Sequence, residues 1–137
     1  MYKDIFISIN PIYIEKIIKR EKLYELRNFN TKFPIKQFFI YETSPSKRIT
    51  YIAKVKLPVT YPHRIKDCCC ESYNFNNGIS KYKKAYEIEK LYKLTSPLSL
   101  KTLKDEYEFT APQSYTYTNK YPDLLEEINK IELIKVF

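Results

Sequence analysis

Lys22, Glu25 and Arg27 carry the clearest chemical signal in this sequence. They lie in Glu21-Lys22-Leu23-Tyr24-Glu25-Leu26-Arg27, a stretch that reads as a short strand following an N-terminal strand and helix. Successive strand side chains point to opposite faces, so Glu25 and Arg27 share one face while Tyr24 and Leu26 share the other. A carboxylate beside a guanidinium, with Lys22 at the strand's entrance, makes a hydrogen-bond-rich patch suited to holding a nucleotide or another anion. Three roles stand open for Lys22: a phosphate anchor, a base with a depressed pKa, or a partner that neutralises Glu25. Glu25 with Arg27 is most simply a structural ion pair. Beside a bound base, Glu25 could instead accept from an exocyclic amine while Arg27 holds phosphate or orders Glu25.

The other reactive side chains are three consecutive cysteines, Cys68-Cys69-Cys70. Neighbouring cysteines reach disulfide geometry only with strain, and no second cysteine pair exists to close a tetrahedral zinc site. His63 is the single histidine. The expectation is free thiols in a reducing cytoplasm, with no metal and no cofactor.

These residues must be positioned by the elements around them. Ile5, Ile7 and Ile9 alternate with Phe6 and Ser8 at the period of a strand. Asn10-Pro11 then caps a helix over about Pro11 to Lys19, with Ile14, Ile17 and Ile18 as its apolar stripe. Gln37 to Glu42 reads as a strand buried on both faces, and Thr43-Ser44-Pro45-Ser46 as a turn. Arg48 to Leu57 reads as a long strand with Lys54 and Lys56 outward. Pro58 to Lys83 reads as loop with a short helix or two, and Gly78, the only glycine, suits a backbone position of positive φ. Lys84 to Leu94 returns to strand, and Ser99 caps a short helix through Leu100, Leu103 and Tyr107. A short strand or turn follows at Tyr115 to Thr118. The segment 121–137 is a C-terminal helix and tail, with Leu124, Leu125, Ile128 and Ile131 on one helical face. Five or six strands with helices at the edges argue for an α+β fold with a small barrel-like sheet.

A chain of 137 residues with 44% apolar side chains suits one globular domain spanning 1–137. Its formal charge of +8 is uneven: +7 over residues 1–60, +5 over 61–104 and −4 over 105–137. A basic face favours phosphate backbones through counterion release, and equally serves solubility alone. No apolar run is long enough to span a bilayer and no leader pattern opens the chain, so a cytoplasmic location without membrane contact is expected.

From about Ile7 to Tyr117 the sequence resembles the ASCH domain family of the PUA-like superfamily. The resemblance rests on Ser8-Ile9-Asn10-Pro11, on Ile17-Ile18 followed by Glu21-Lys22 and Glu25-Leu26-Arg27, and on Ile40-Tyr41-Glu42-Thr43-Ser44-Pro45. Gly78-Ile79-Ser80, Ala85-Tyr86-Glu87-Ile88, Pro97-Leu98-Ser99-Leu100 and Pro112-Gln113-Ser114-Tyr115 extend it. It implies a PUA-like small mixed or antiparallel β-barrel with flanking short helices and a basic cleft that takes RNA, other nucleic acid or a modified nucleoside. By motif the ligand-binding set would be Ser8, Asn10, Lys22, Glu25, Arg27, Tyr41, Thr43, Ser44, Lys47, Gln113, Ser114 and Tyr115. Tyr41 or Tyr115 would be available to stack on a base.

Two positions depart from the family pattern: Asn10 replaces its usual lysine, and Arg20 its usual small residue before Glu-Lys. A branch of the family resembles amidohydrolases of acetylated cytidine that use a lysine and a threonine three residues later. Lys22 matches that lysine, but Glu25 occupies the threonine position, so the covalent-threonine chemistry is not carried over.

Three functions follow as expectations. The first is a nucleic-acid-binding module. The second is a hydrolase of the same cleft, a ribonuclease or nucleoside amidohydrolase using Lys22, Glu25 or Tyr41. The third is a small phage or mobile-element protein that inhibits a protein partner by direct binding.

Overall fold

The computed structural model describes all residues, 1–137. Eight strands and four helices follow in the order β1 (Lys3–Ile9), α1 (Pro11–Ile18), β2 (Tyr24–Arg27), β3 (Ile35–Glu42), β4 (Arg48–Val55), β5 (Val59–Thr60), α2 (Cys70–Asn76), β6 (Lys84–Ser99), α3 (Leu100–Tyr107), β7 (Thr116–Tyr117), α4 (Pro122–Lys130) and β8 (Leu133–Lys135). The strands form one curled mixed sheet in the order β2-β6-β4-β3-β1-β7, with β5 and β8 also paired to β6. The 16-residue β6 is the spine of the half-barrel: its first residues pair with β2 and β5, and its later ones with β4 and β8. The fold is α+β.

The period-2 alternation of the strands divides the core into two layers. On one face Ile5, Ile7 and Ile9 of β1 meet Ile14 and Ile17 of α1 together with Phe38, Ile40, Val55, Tyr86 and Ile88. On the other face Phe6, Phe39, Tyr41, Ile49 and Ile52 meet Leu103, Phe109, Leu124 and Ile128, so α3 and α4 cover that side. A smaller cluster of Tyr24, Leu26, Ile65, Phe75 and Ala85 fastens α2 to β2 and β6.

Four expectations are corrected here. The strands number eight, because β5, β7 and β8 are two or three residues long and too short to show a period. The pairing of β1 with β3 is parallel, while β3, β4 and β6 run antiparallel to one another. The middle of the chain holds one helix, α2, and it begins at Cys70 after Cys69, a residue type that gives no capping signal. The tail after α4 is a strand, β8, hydrogen-bonded at Leu133–Lys135 to Tyr92–Leu94 of β6.

The segment between β5 and β6 leaves and returns to one place, since Thr60 is the pairing partner of Lys84 and the Tyr61 amide donates to the Lys83 carbonyl at 2.8 Å. Gly78 within it has φ +71°, and a Cβ there would stand 2.5 Å from the Tyr61 hydroxyl. The end of α1 also uses a left-handed residue. Arg20 has φ +61°, the Glu21 amide donates to the Lys16 carbonyl at 2.9 Å, and the Arg20 amide donates to that of Ile17 at 3.1 Å, the pattern that normally favours glycine. The Arg20 side chain is held as well: its guanidinium lies 4.2 Å from the Phe137 ring centre and donates to the Ile88 carbonyl at 3.2 Å.

Candidate functional site

That left-handed turn after α1 directs Lys22 inward, just ahead of β2. The side chain is 4% exposed, beside Glu25 at 6%. The Lys22 ammonium donates to Glu71 Oε2 at 2.6 Å and lies 3.3 Å from Glu25 Oε1. The second oxygen of Glu25 takes Arg27, with Nη2 at 2.7 Å and Nε at 3.2 Å. Arg27 Nη2 also donates to the Ser8 carbonyl at 2.9 Å, tying β2 to the end of β1. The Ser8 hydroxyl in turn donates to the Pro112 carbonyl at 2.7 Å.

Two cations and two carboxylates thus form one chain, Arg27–Glu25–Lys22–Glu71. Such a cluster survives burial only when every charge has a partner, and no buried side-chain nitrogen or oxygen lacks one. Burial works against the Lys22 ammonium, but Glu25 and Glu71 outweigh it and hold its pKa above the usual lysine value. Lys22 is therefore protonated at neutral pH, which removes the reading of it as a base with a depressed pKa.

The cluster forms the floor of a cleft of about 370 Å³, within the range of small-ligand sites. Ser8, Asn10, Tyr13, Leu26 and their neighbours make one wall, and Glu71, Asn74, Ser80 and Tyr82 of the segment between β5 and β6 make the other. The charged lining is balanced, where a basic cleft was expected. Positive charge stands at the rim instead: Lys16 Nζ lies 5.9 Å from the centre of the Tyr13 ring, and Lys81 Nζ lies 5.1 Å from that of Tyr82.

Of the twelve residues assigned by motif, Ser8, Asn10, Lys22, Glu25 and Arg27 line this cleft, and the other seven do not. Tyr41 is 4% exposed and packs against Phe109 in the core layer under α3 and α4, which corrects the expectation that it is free to stack on a base. Tyr115 packs against Phe29 with ring centres 4.9 Å apart, so it too is occupied. Thr43, Ser44 and Lys47 belong to the turn from β3 to β4, where the Thr43 amide donates to the Ile9 carbonyl at 3.1 Å and the Lys47 carbonyl accepts from Leu100 at 2.9 Å. Gln113 and Ser114 are exposed beside Pro112 and reach the site only through that residue's bond to Ser8.

Sequence reasoning missed Tyr13, Glu71, Asn74, Ser80 and Tyr82. For Glu71 a signal existed: a buried Lys22 requires a counter-charge, and the segment 61–83 offers only Asp67 and Glu71. Tyr13 sits on the exposed side of α1, a position that periodicity marks only as solvent-facing.

A curled α+β half-barrel with a cleft between the β1–α1 turn, β2 and an insertion is the PUA-like architecture. Solved structures narrow it: this chain folds as an ASCH domain. It is similar to the crystal structure of ASCH from Zymomonas mobilis, with a TM-score of 0.70 at 20% identity over 95% of this chain and 96% of that one. Two variants of the same Zymomonas mobilis protein match alike. The tyrosine-to-phenylalanine form has a TM-score of 0.69 at 19% identity over 95% of this chain and 99% of that chain. The serine-to-alanine form has 0.68 at 20% identity over 95% and 97%. No protein-family model matches the sequence, and no curated protein does. No helix is long and apolar enough to cross a membrane.

Proposed function

We propose that the cleft binds single-stranded RNA, taking one unpaired base or modified nucleoside against the Lys22–Glu25–Arg27–Glu71 floor. The observation that carries this reading is the combination of a charge-balanced, hydrogen-bonding floor with a tyrosine–lysine pair at each side of the mouth. A neutral base needs donors and acceptors and no net charge. Its backbone needs cations, which Lys16 and Lys81 supply, and its ring needs aromatic faces, which Tyr13 and Tyr82 supply. The ASCH fold is compatible with this use.

The hydrolase reading has less behind it. It calls for a free base, and Lys22 is held as an ammonium between two carboxylates while Tyr41 lies in the core. The same cleft could serve a protein partner, and the test below separates the two.

The test is a titration against labelled single-stranded RNA, duplex RNA and duplex DNA at several salt concentrations, with the RNA examined for cleavage afterwards. Single-stranded RNA should bind best. Tyr13→Ala should weaken it by about 1–3 kcal/mol, the value of one stacked base. Lys16→Ala and Lys81→Ala should each flatten the salt dependence by roughly one unit of slope. These three residues hold no buried charge, so the variants keep the floor intact. Equal affinity for all three nucleic acids, unchanged by Tyr13→Ala, would remove the cleft from the account, and cleaved RNA would revive the hydrolase.

A further inference from the structure

Outside the cleft, the chain places two thiols side by side where the connection from β5 enters α2. The sulfurs of Cys68 and Cys69 are 3.6 Å apart. The hydroxyl of buried Ser72 stands 3.7 Å from the first and 3.8 Å from the second, closing a nearly equilateral triangle. Ser72 itself is fixed, since its oxygen accepts from the amides of Cys68 at 2.9 Å and Cys69 at 3.0 Å and donates to the Cys69 carbonyl at 2.8 Å. The two sulfurs are therefore held together by backbone anchored on both sides.

Their surroundings favour the ionised form. Burial works against a thiolate at Cys69, but the Ser72 amide, the Cys68 thiol, the Ser72 hydroxyl and the Glu71 amide all donate toward its sulfur and hold the thiol below its ordinary value. All three cysteines are free. Adjacent cysteines close a disulfide only with strain, so the pair is better arranged to share a third atom than to bond to each other.

The chemistry of that atom follows from what is and is not nearby. Two thiolates are soft ligands, which select soft cations such as Cu(I). At a metal–sulfur distance of about 2.3 Å, a 3.6 Å separation of the sulfurs corresponds to an angle of about 100° at the ion, an ordinary bite for a low-coordinate centre. No group of three or more Cys, His, Asp or Glu side chains is arranged to hold a metal, so a tetrahedral Zn(II) site of four protein ligands is not matched.

We propose that Cys68 and Cys69 form a two-thiolate site for a soft monovalent cation of the Cu(I) type. Binding forms two metal–sulfur bonds and breaks two S–H bonds. Both protons leave to solvent, no oxidation state changes, and the site passes from neutral to one net negative charge. This assignment does not depend on what the cleft binds.

The experiment is an anaerobic titration of the reduced full-length protein with Cu(I) held by a coloured Cu(I) chelator, with Zn(II) run in parallel. The protein should withdraw one equivalent of Cu(I) with release of protons into weak buffer, and Zn(II) should not displace it. Cys68→Ser and Cys69→Ser should each lose uptake, and Cys70→Ser should keep it. Alkylation of the unmodified protein gives a reading that needs no variant: bound Cu(I) should protect Cys68 and Cys69 while Cys70 still reacts. Failure to take Cu(I) from the chelator, uptake that survives in the Cys68→Ser, Cys69→Ser double variant, or protection of Cys70 alone would overturn the proposal.

Discussion

At the floor of the cleft a single ammonium serves two carboxylates, so the members of the cluster are not equivalent. Replacing Lys22 by Met leaves Glu71 without a partner and Glu25 with Arg27 only, inside a site closed to water. Breaking a buried ion pair costs about 3–5 kcal/mol, and the partial exposure of Glu71 puts this case near the lower end. Glu71→Gln keeps Lys22 on Glu25 and should cost about 1 kcal/mol. Chemical denaturation of the two variants checks the order; equal losses would mean that the carboxylates do not share the ammonium. The same cluster predicts a pH dependence. Because the Lys22 pKa is raised on folding, its contribution is complete below the unfolded value of about 10.4 and is lost as the pH rises through the higher folded value. Tyr86, pushed up to about 12 chiefly by burial and then by Tyr115 and Tyr117, loses stability over the same alkaline range. Lys22→Met should therefore decline less steeply than the parent above pH about 10.5 when unfolding is followed against pH, with the Tyr86 part common to both. The residues of this site that the sequence revealed are the ones clustered at two places along the chain, 8–10 and 22–27. Glu71 stayed hidden because its role is set by a contact across 49 positions, which no local pattern records.

Two elements end on backbone that a side chain resists, and they resist it for different reasons. At the end of α1, Arg20 accepts the left-handed conformation and is compensated by Phe137 and the Ile88 carbonyl. Arg20→Ala keeps the strain and discards both contacts, whereas Arg20→Gly discards the contacts and the strain together. Gly should therefore be the more stable of the two by about 1 kcal/mol, the reverse of their order inside a helix. Thermal unfolding of the pair decides it, and a more stable Ala variant would mean that the turn carries no strain. At Gly78 the objection is to the conformation and to Tyr61 as well, whose ring packs edge-on against Phe75 at 6.3 Å and cannot yield freely. Gly78→Ala should cost more than the roughly 1 kcal/mol of the backbone term alone. In a Tyr61→Ala background the additional cost should fall back to that term. Additive losses in the double variant would show that the contact is harmless. Both positions bear on function, since one aims Lys22 and the other shapes the wall that carries Ser80 and Tyr82.

Across the whole molecule, the legible parts of the fold were those in which local pattern and burial agree. Ile5, Ile7 and Ile9 alternate because one face of β1 meets α1, and Asn10 caps α1 through a 2.9 Å bond from the Ile12 amide, as its type suggests. Ser99 announces α3 in the same way, accepting from the Thr102 amide at 3.2 Å. The parallel union of β1 with β3 was illegible, because nothing in either strand specifies the direction of its neighbour. So were β5, β7 and β8, which are strands only because a longer strand lies beside them.

The excursion from Thr60 to Lys84 begins and ends at the same pair of residues and supplies one wall of the cleft, while the opposite wall comes from β1, α1 and β2. It can therefore be lengthened, shortened or exchanged without moving any strand by a single register step. Its ends are already together, so altering its length changes the closure entropy only slowly. What enters the cleft and what holds the sheet are then inherited separately. A descendant could acquire a new ligand by rewriting residues 61–83 alone, and its half-barrel would carry no trace of the change.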